Sequence, residues 1–103
     1  VLSRTPLIER LAAEIGRDIY MDVAKWHLYL GDAKLATPLA EAFLPLLEQG
    51  EMSSAQVASV LQEVSVPLGG GQQFLSLDRL IPKANQELLV ELLNRFRQEE
   101  LDS

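Results

Sequence analysis

Between residues 19 and 30 the chain carries only two charges, Asp22 and Lys25, among Ile19, Tyr20, Met21, Val23, Ala24, Trp26, His27, Leu28, Tyr29 and Leu30. A run this apolar has to be covered on most sides. Read with what precedes it, it has a helical period: Ile8, Leu11, Ile15, Ile19, Val23, Trp26 and Leu30 are spaced by 3, 4, 4, 4, 3 and 4 positions. Thr5 is a candidate N-cap with Pro6 at the favoured first position, and Gly31 is a natural stop. The spacing predicts one helix from Thr5 to Leu30, in which Gly16 costs up to about 1 kcal/mol against Ala. Glu9, Arg10, Glu14 and Arg17 fall opposite the stripe, so the helix is amphipathic up to Asp18. Beyond Asp18 it is apolar all round. It is then either the central helix or has one face in an interface, with Tyr20 and Leu28 on the second face.

The rest of the chain predicts three more helices and one hairpin. Thr37 and Pro38 open a helix through Leu39, Ala42, Phe43, Leu46 and Leu47 that ends at Gly50, with Pro45 inside it as a kink. Residues 32–36 form a separate turn. Ser53 and Gln56 make a capping box, and Met52 can staple onto Val57. After Glu63 the period changes. Val64, Val66 and Leu68 alternate with Ser65 and Pro67, and Gly69-Gly70-Gly71 precedes Gln73, Phe74, Leu75, Ser76 and Leu77: a short hairpin around a glycine loop, with Pro67 on an edge. Residues 78–81 are a turn or short helix. Pro82 opens the last helix, whose stripe is Leu88, Leu89, Leu92, Leu93 and Phe96, with Glu91 and Arg95 able to pair; residues 98–103 are a fraying polar tail. The expected fold is mainly α: a compact bundle of about four helices with one small β-hairpin, in a single domain over residues 1–103.

Composition narrows the function classes. There is no cysteine, which removes disulfides, thiolate metal sites and cysteine nucleophiles. The net charge is −6, and the nine Lys and Arg form no stripe, so nucleic acid and anionic lipid surfaces are disfavoured as partners. No apolar run reaches the roughly 20 residues of a membrane span. The N-terminal residues do not read as a signal peptide, since Arg4 and Pro6 interrupt them. The expected compartment is the cytoplasm.

Asp22, Lys25, Trp26, His27 and Tyr29 are the one polar-aromatic cluster. On a helix, Asp22 and Trp26 share a face. Either Asp22 anchors a ligand or partner pocket, or it pairs with Lys25 or a neighbour while Trp26 fills the core. His27 could be a general base or an axial ligand, but no second histidine lies one turn away, and a lone histidine on an apolar helix is more often a satisfied core residue. Gly69, Gly70 and Gly71 fail as a phosphate loop, because no Gly-Lys-Ser/Thr follows and a strand comes next; they could still present backbone N–H groups to a partner. No catalytic or metal-binding motif is present, and no cofactor is expected.

Two segments carry a resemblance: residues 14–30, with Val-Ala-Lys-Trp-His-Leu-Tyr-Leu as the most specific part, and residues 66–71 with residues 75–82. They resemble a family of short cyanobacterial proteins classed as a domain of unknown function, over nearly the whole chain. The resemblance implies a cyanobacterial source and a soluble housekeeping or photosynthesis-associated role, and it transfers no catalytic residue. The expectation is a non-enzymatic protein-interaction or assembly/regulatory accessory domain, with self-association into a homodimer as one form of it. The alternative is a small-ligand or chromophore binder using Tyr20, Trp26, His27 and Tyr29.

Overall fold

The computed structural model describes residues 5–23, 26–68 and 73–101. Among the described residues, five α-helices and two antiparallel strand pairs follow one another: α1 (Thr5–Asp18), β1 (Tyr20–Val23), β2 (Trp26–Tyr29), α2 (Ala36–Gln49), α3 (Ser54–Gln62), β3 (Ser65–Leu68), β4 (Gln73–Ser76), α4 (Leu77–Leu80) and α5 (Lys83–Phe96). A π-helical turn, Arg97–Leu101, extends α5. The fold is mainly α, as expected, but it has two hairpins rather than one.

The added hairpin is formed by the apolar run between residues 19 and 30. The first helix stops at Asp18, and β1 and β2 replace its predicted second half, with Tyr20 opposite Tyr29, Met21 opposite Leu28, Asp22 opposite His27 and Val23 opposite Trp26. Burial there alternates with the strand period. Ile19, Met21 and Leu30 are buried and Leu28 is partly buried against the core, while Tyr20, Asp22, His27 and Tyr29 lie on the other side. A single hairpin face therefore covers what a helix apolar all round would have needed two faces to cover. Tyr20 and Leu28, expected on one face, are on opposite faces.

Two glycines make this geometry possible. The hairpin returns the chain to the end of α1, where the Gly31 N–H donates to the Gly16 carbonyl at 3.2 Å. A Cβ on Gly16 would stand 2.8 Å from the Gly31 Cα. Gly16 is thus a site of backbone contact rather than a bend, and Gly31 ends a strand exit rather than a helix.

The next turn is a Schellman motif. The Leu35 N–H donates to Leu30 O at 3.0 Å and the Lys34 N–H to Gly31 O at 3.3 Å, with Lys34 at φ 61°. This turn feeds directly into α2, so Leu35 precedes the helix, and Thr37 lies inside the first turn instead of capping it. Glycine usually occupies the left-handed position of this motif because it has no Cβ to clash. Lys34→Gly is expected to raise stability by about 0.5–1 kcal/mol, read as a higher urea midpoint at unchanged slope.

The remaining elements follow the expected signals closely. The Ser53 Oγ accepts the Gln56 N–H and Gln56 Oε1 accepts the Ser53 N–H, completing the capping box, and Met52 and Val57 are both buried. Helix α2 runs through Pro45, which is exposed, to Gly50, whose φ of 157° and ψ of −173° lie in a region glycine alone populates readily. Strands β3 and β4 pair Val66 with Leu75 and Pro67 with Phe74. The core joins Leu11 and Ile15 of α1, Phe43 and Leu47 of α2, Leu61 of α3, and Leu89 and Phe96 of α5.

Helix α5 departs from its predicted stripe at one end. Leu88 is exposed, and Asn85 takes the buried place one turn before Leu89. Its Oδ1 accepts the Tyr20 N–H at 2.7 Å, fixing the start of β1. Further along, Asn94 holds Met52 by both backbone groups, Gln86 Nε2 donates to Asp78 O and Ile81 O, and Arg97 Nε donates to Leu47 O near the end of α2. Arg95 reaches Glu14 of α1 rather than Glu91, and Glu100 meets Arg10. Residues 97–101 accordingly form a helical turn whose Leu101 packs on the core, where a fraying tail is expected from Gln98.

Candidate functional site

The hairpin register places Tyr20, Asp22, His27 and Tyr29 together, facing away from the core. Their order follows from strand geometry. Tyr20 and Tyr29 are cross-strand partners, Asp22 and His27 are the next pair on the same side, and adjacent pairs on one face are within reach of large side chains. The Tyr20 ring stands edge-on to Tyr29 at 5.6 Å and to His27 at 4.7 Å between centroids. His27 Nδ1 donates to Asp22 Oδ1 at 2.5 Å. The four side chains form one continuous row, Tyr29, Tyr20, His27, Asp22.

Three of these side chains are exposed, and Tyr20 between them is half-buried. Tyr29 is 42% exposed, and the His27 and Asp22 side chains are 66% and 47% exposed. The position is held from behind by the Asn85 bond to Tyr20, by the buried Met21 and by the Gly16–Gly31 contact. The result is an aromatic and carboxylate surface on a hairpin anchored to the core, suited to stacking and to accepting hydrogen bonds.

The expected pairing of Asp22 with Trp26 on a shared face does not occur. Asp22 is opposite His27, while Trp26 is in register with Val23, and the Trp26 side chain lies outside the described residues. Lys25 and the loop glycines Gly69, Gly70 and Gly71 also lie outside them. His27, expected on a buried helix, is at the surface. On the other hairpin the strand beside the glycines presents Phe74, 64% exposed, across from exposed Pro67.

Three depressions lie elsewhere. One of 290 Å³ separates α3 from α5, lined by Ser54, Ala58, Gln86 and Val90 among others. A second adjoins Gly31 and Lys34, and a third lies among Arg10, Glu14, Glu99 and Glu100. None is lined by Tyr20, His27 or Tyr29. Among the described residues no group of three or more His, Asp or Glu could hold a metal ion, and no helix is long and apolar enough to cross a membrane. At the end of α1, the hydrogen bond from Arg17 to Asp18, and the carboxylate charge beside it, hold the Arg17 guanidinium above its ordinary pKa.

Residues 8–96, which include both hairpins and the whole outward row, match the family described as Protein of unknown function (DUF3181). The chain belongs to that family. Among curated proteins, the Thylakoid-associated protein slr0729 of Synechocystis sp. (strain ATCC 27184 / PCC 6803 / Kazusa) is 44% identical over 95 residues, covering 92% of this chain and 94% of that relative. The resemblance of the chain to a cyanobacterial family of unknown function, read from residues 14–30, 66–71 and 75–82, agrees with this family match and this relative. No solved structure matches the chain.

Proposed function

We propose that this family member is a non-enzymatic accessory domain that docks, through the outward face of the β1–β2 hairpin, on a protein partner at the cytoplasmic face of the thylakoid membrane. The observation that carries the reading is the outward row of Tyr29, Tyr20, His27 and Asp22, three of them exposed, on a hairpin anchored to the core. Tyrosines presented this way supply contact area at low conformational cost and are enriched at protein interfaces. The location comes from the thylakoid-associated relative. A small-ligand or chromophore reading has less support, because a ligand of that kind is normally buried in a cleft and none of the three depressions described is lined by the row.

The test is co-sedimentation of the purified chain with isolated thylakoid membranes. The expected result is retention by untreated membranes, loss of retention on membranes whose exposed proteins have been trimmed with trypsin, and at least tenfold weaker retention of Tyr20→Ala/Tyr29→Ala. Both side chains lie on the solvent side, so circular dichroism should show the variant folded. A double variant retained like the wild type would remove this face as the docking surface. Sedimentation velocity across concentrations identifies the case in which the partner is a second copy of the chain.

A further inference from the structure

An ordinary apolar patch would end in apolar groups, but this row ends in a carboxylate. Asp22 Oδ1 is held by His27 Nδ1, which fixes the carboxylate in place beside the rings, and no contact to its Oδ2 exists among the described residues. The only basic group of the row, His27, is committed to Asp22. The chain's net charge of −6 has the same sign at longer range and draws cations toward the surface. Tyrosine faces also attract cations through the ring quadrupole. Charge complementarity thus selects a cationic ligand, and the face of a single tyrosine ring, inclined by 61–62° to its neighbours, selects a flat one. A guanidinium can stack on a ring and still direct N–H groups at a carboxylate in the same plane, whereas an ammonium is a hydrated point charge that stacks poorly.

Resting on the docking reading above, we infer that the outward face of the β1–β2 hairpin receives an arginine side chain of the protein partner, stacked on one tyrosine ring and hydrogen-bonded to Asp22 Oδ2. Phosphate and anionic headgroups are repelled by the same carboxylate.

The experiment is an NMR titration of the ¹⁵N-labelled full chain with the capped tripeptide Gly-Arg-Gly and with its Gly-Lys-Gly counterpart. The expected result is saturable shifts centred on Tyr20, Asp22, His27 and Tyr29, weaker binding of the lysine peptide, and at least tenfold weaker arginine binding by Asp22→Asn. Amide shifts remote from the hairpin report whether that variant keeps its fold. Tyr20→Leu, which retains apolar area but removes the π face, serves as the second variant and should also lose at least threefold. Shifts spread over Glu9, Glu14 and Glu99, or binding unchanged in Asp22→Asn and Tyr20→Leu, would overturn the inference. Membrane retention separates the two levels. If Tyr20→Ala/Tyr29→Ala loses retention and Asp22→Asn does not, the docking face stands and the arginine falls. If neither loses it, both fall.

Discussion

Gly16→Ala lowers the stability of this domain by about 2 kcal/mol, a fall in Tm on the order of 10 °C. The sign is the informative part. In an exposed helix interior the same substitution stabilises, by up to about 1 kcal/mol, because alanine loses less backbone entropy. Here the new Cβ would lie 2.8 Å from the Gly31 Cα, 3.1 Å from the Gly31 nitrogen and 3.3 Å from the Ala36 Cβ. The first two neighbours are backbone, and one of them donates the hydrogen bond that closes the hairpin onto α1. They cannot turn aside as a side chain can, so α1 and the hairpin exit must separate. Gly31→Ala is expected to be milder, because its Cβ would meet nothing closer than 3.1 Å. Thermal melts of the two variants check both statements. A stabilised Gly16→Ala would mean that α1 continues past Asp18 as one helix.

That continuous helix is what residue spacing alone supports, and the reason is instructive. Ile19, Val23, Trp26 and Leu30 satisfy a helical stripe, while Ile19, Met21, Leu28 and Leu30 satisfy two strands folded back on each other. A run this rich in apolar residues fits both periods. The usual arbiter of a hairpin is its turn, and the two residues between β1 and β2, Ala24 and Lys25, include no Gly, Asn or Asp. The signals present were weaker ones: the β-branched and aromatic content of the run, and the charged or polar residues Asp22 and His27 falling at alternate positions with Tyr20 and Tyr29. Where the sequence offered specific chemistry, it was legible. The Ser53–Gln56 box, the Gly50 stop and the alternation around Pro67 all appear in place.

The candidate site was legible as a set of residues but not as a surface. Tyr20, Asp22, His27 and Tyr29 stand out as the polar and aromatic members of an apolar run. Only the strand register sorts them from Met21 and Leu28, and that register is itself held by residues far away in sequence. Asn85 and Asn94 show why these were missed. Asparagines in a helix read as neutral filler, because what they bond to is a backbone group brought by tertiary structure.

Asn94→Ala is expected to cost about 2 kcal/mol, and Asn94→Asp should also destabilise. The side chain works as a piece of β-ladder: Oδ1 accepts the Met52 N–H at 2.8 Å and Nδ2 donates to the Met52 carbonyl at 3.0 Å. Met52 is buried just before the α3 cap, so its backbone groups cannot readily exchange these partners for water. Alanine leaves both groups unsatisfied. Aspartate keeps the acceptor but replaces the donor with an oxygen facing a carbonyl oxygen, so charge repulsion replaces one of the two bonds. The pair of variants therefore separates a paired amide from mere packing, since a packing role would tolerate the nearly isosteric aspartate. Chemical denaturation measures both, and hydrogen exchange at the Met52 amide should accelerate in Asn94→Ala beyond the change in global stability. An unchanged urea midpoint for Asn94→Asp would show that the amide does not bridge α5 to the start of α3, and would leave the Ser53–Gln56 box as the sole fixture of that helix end.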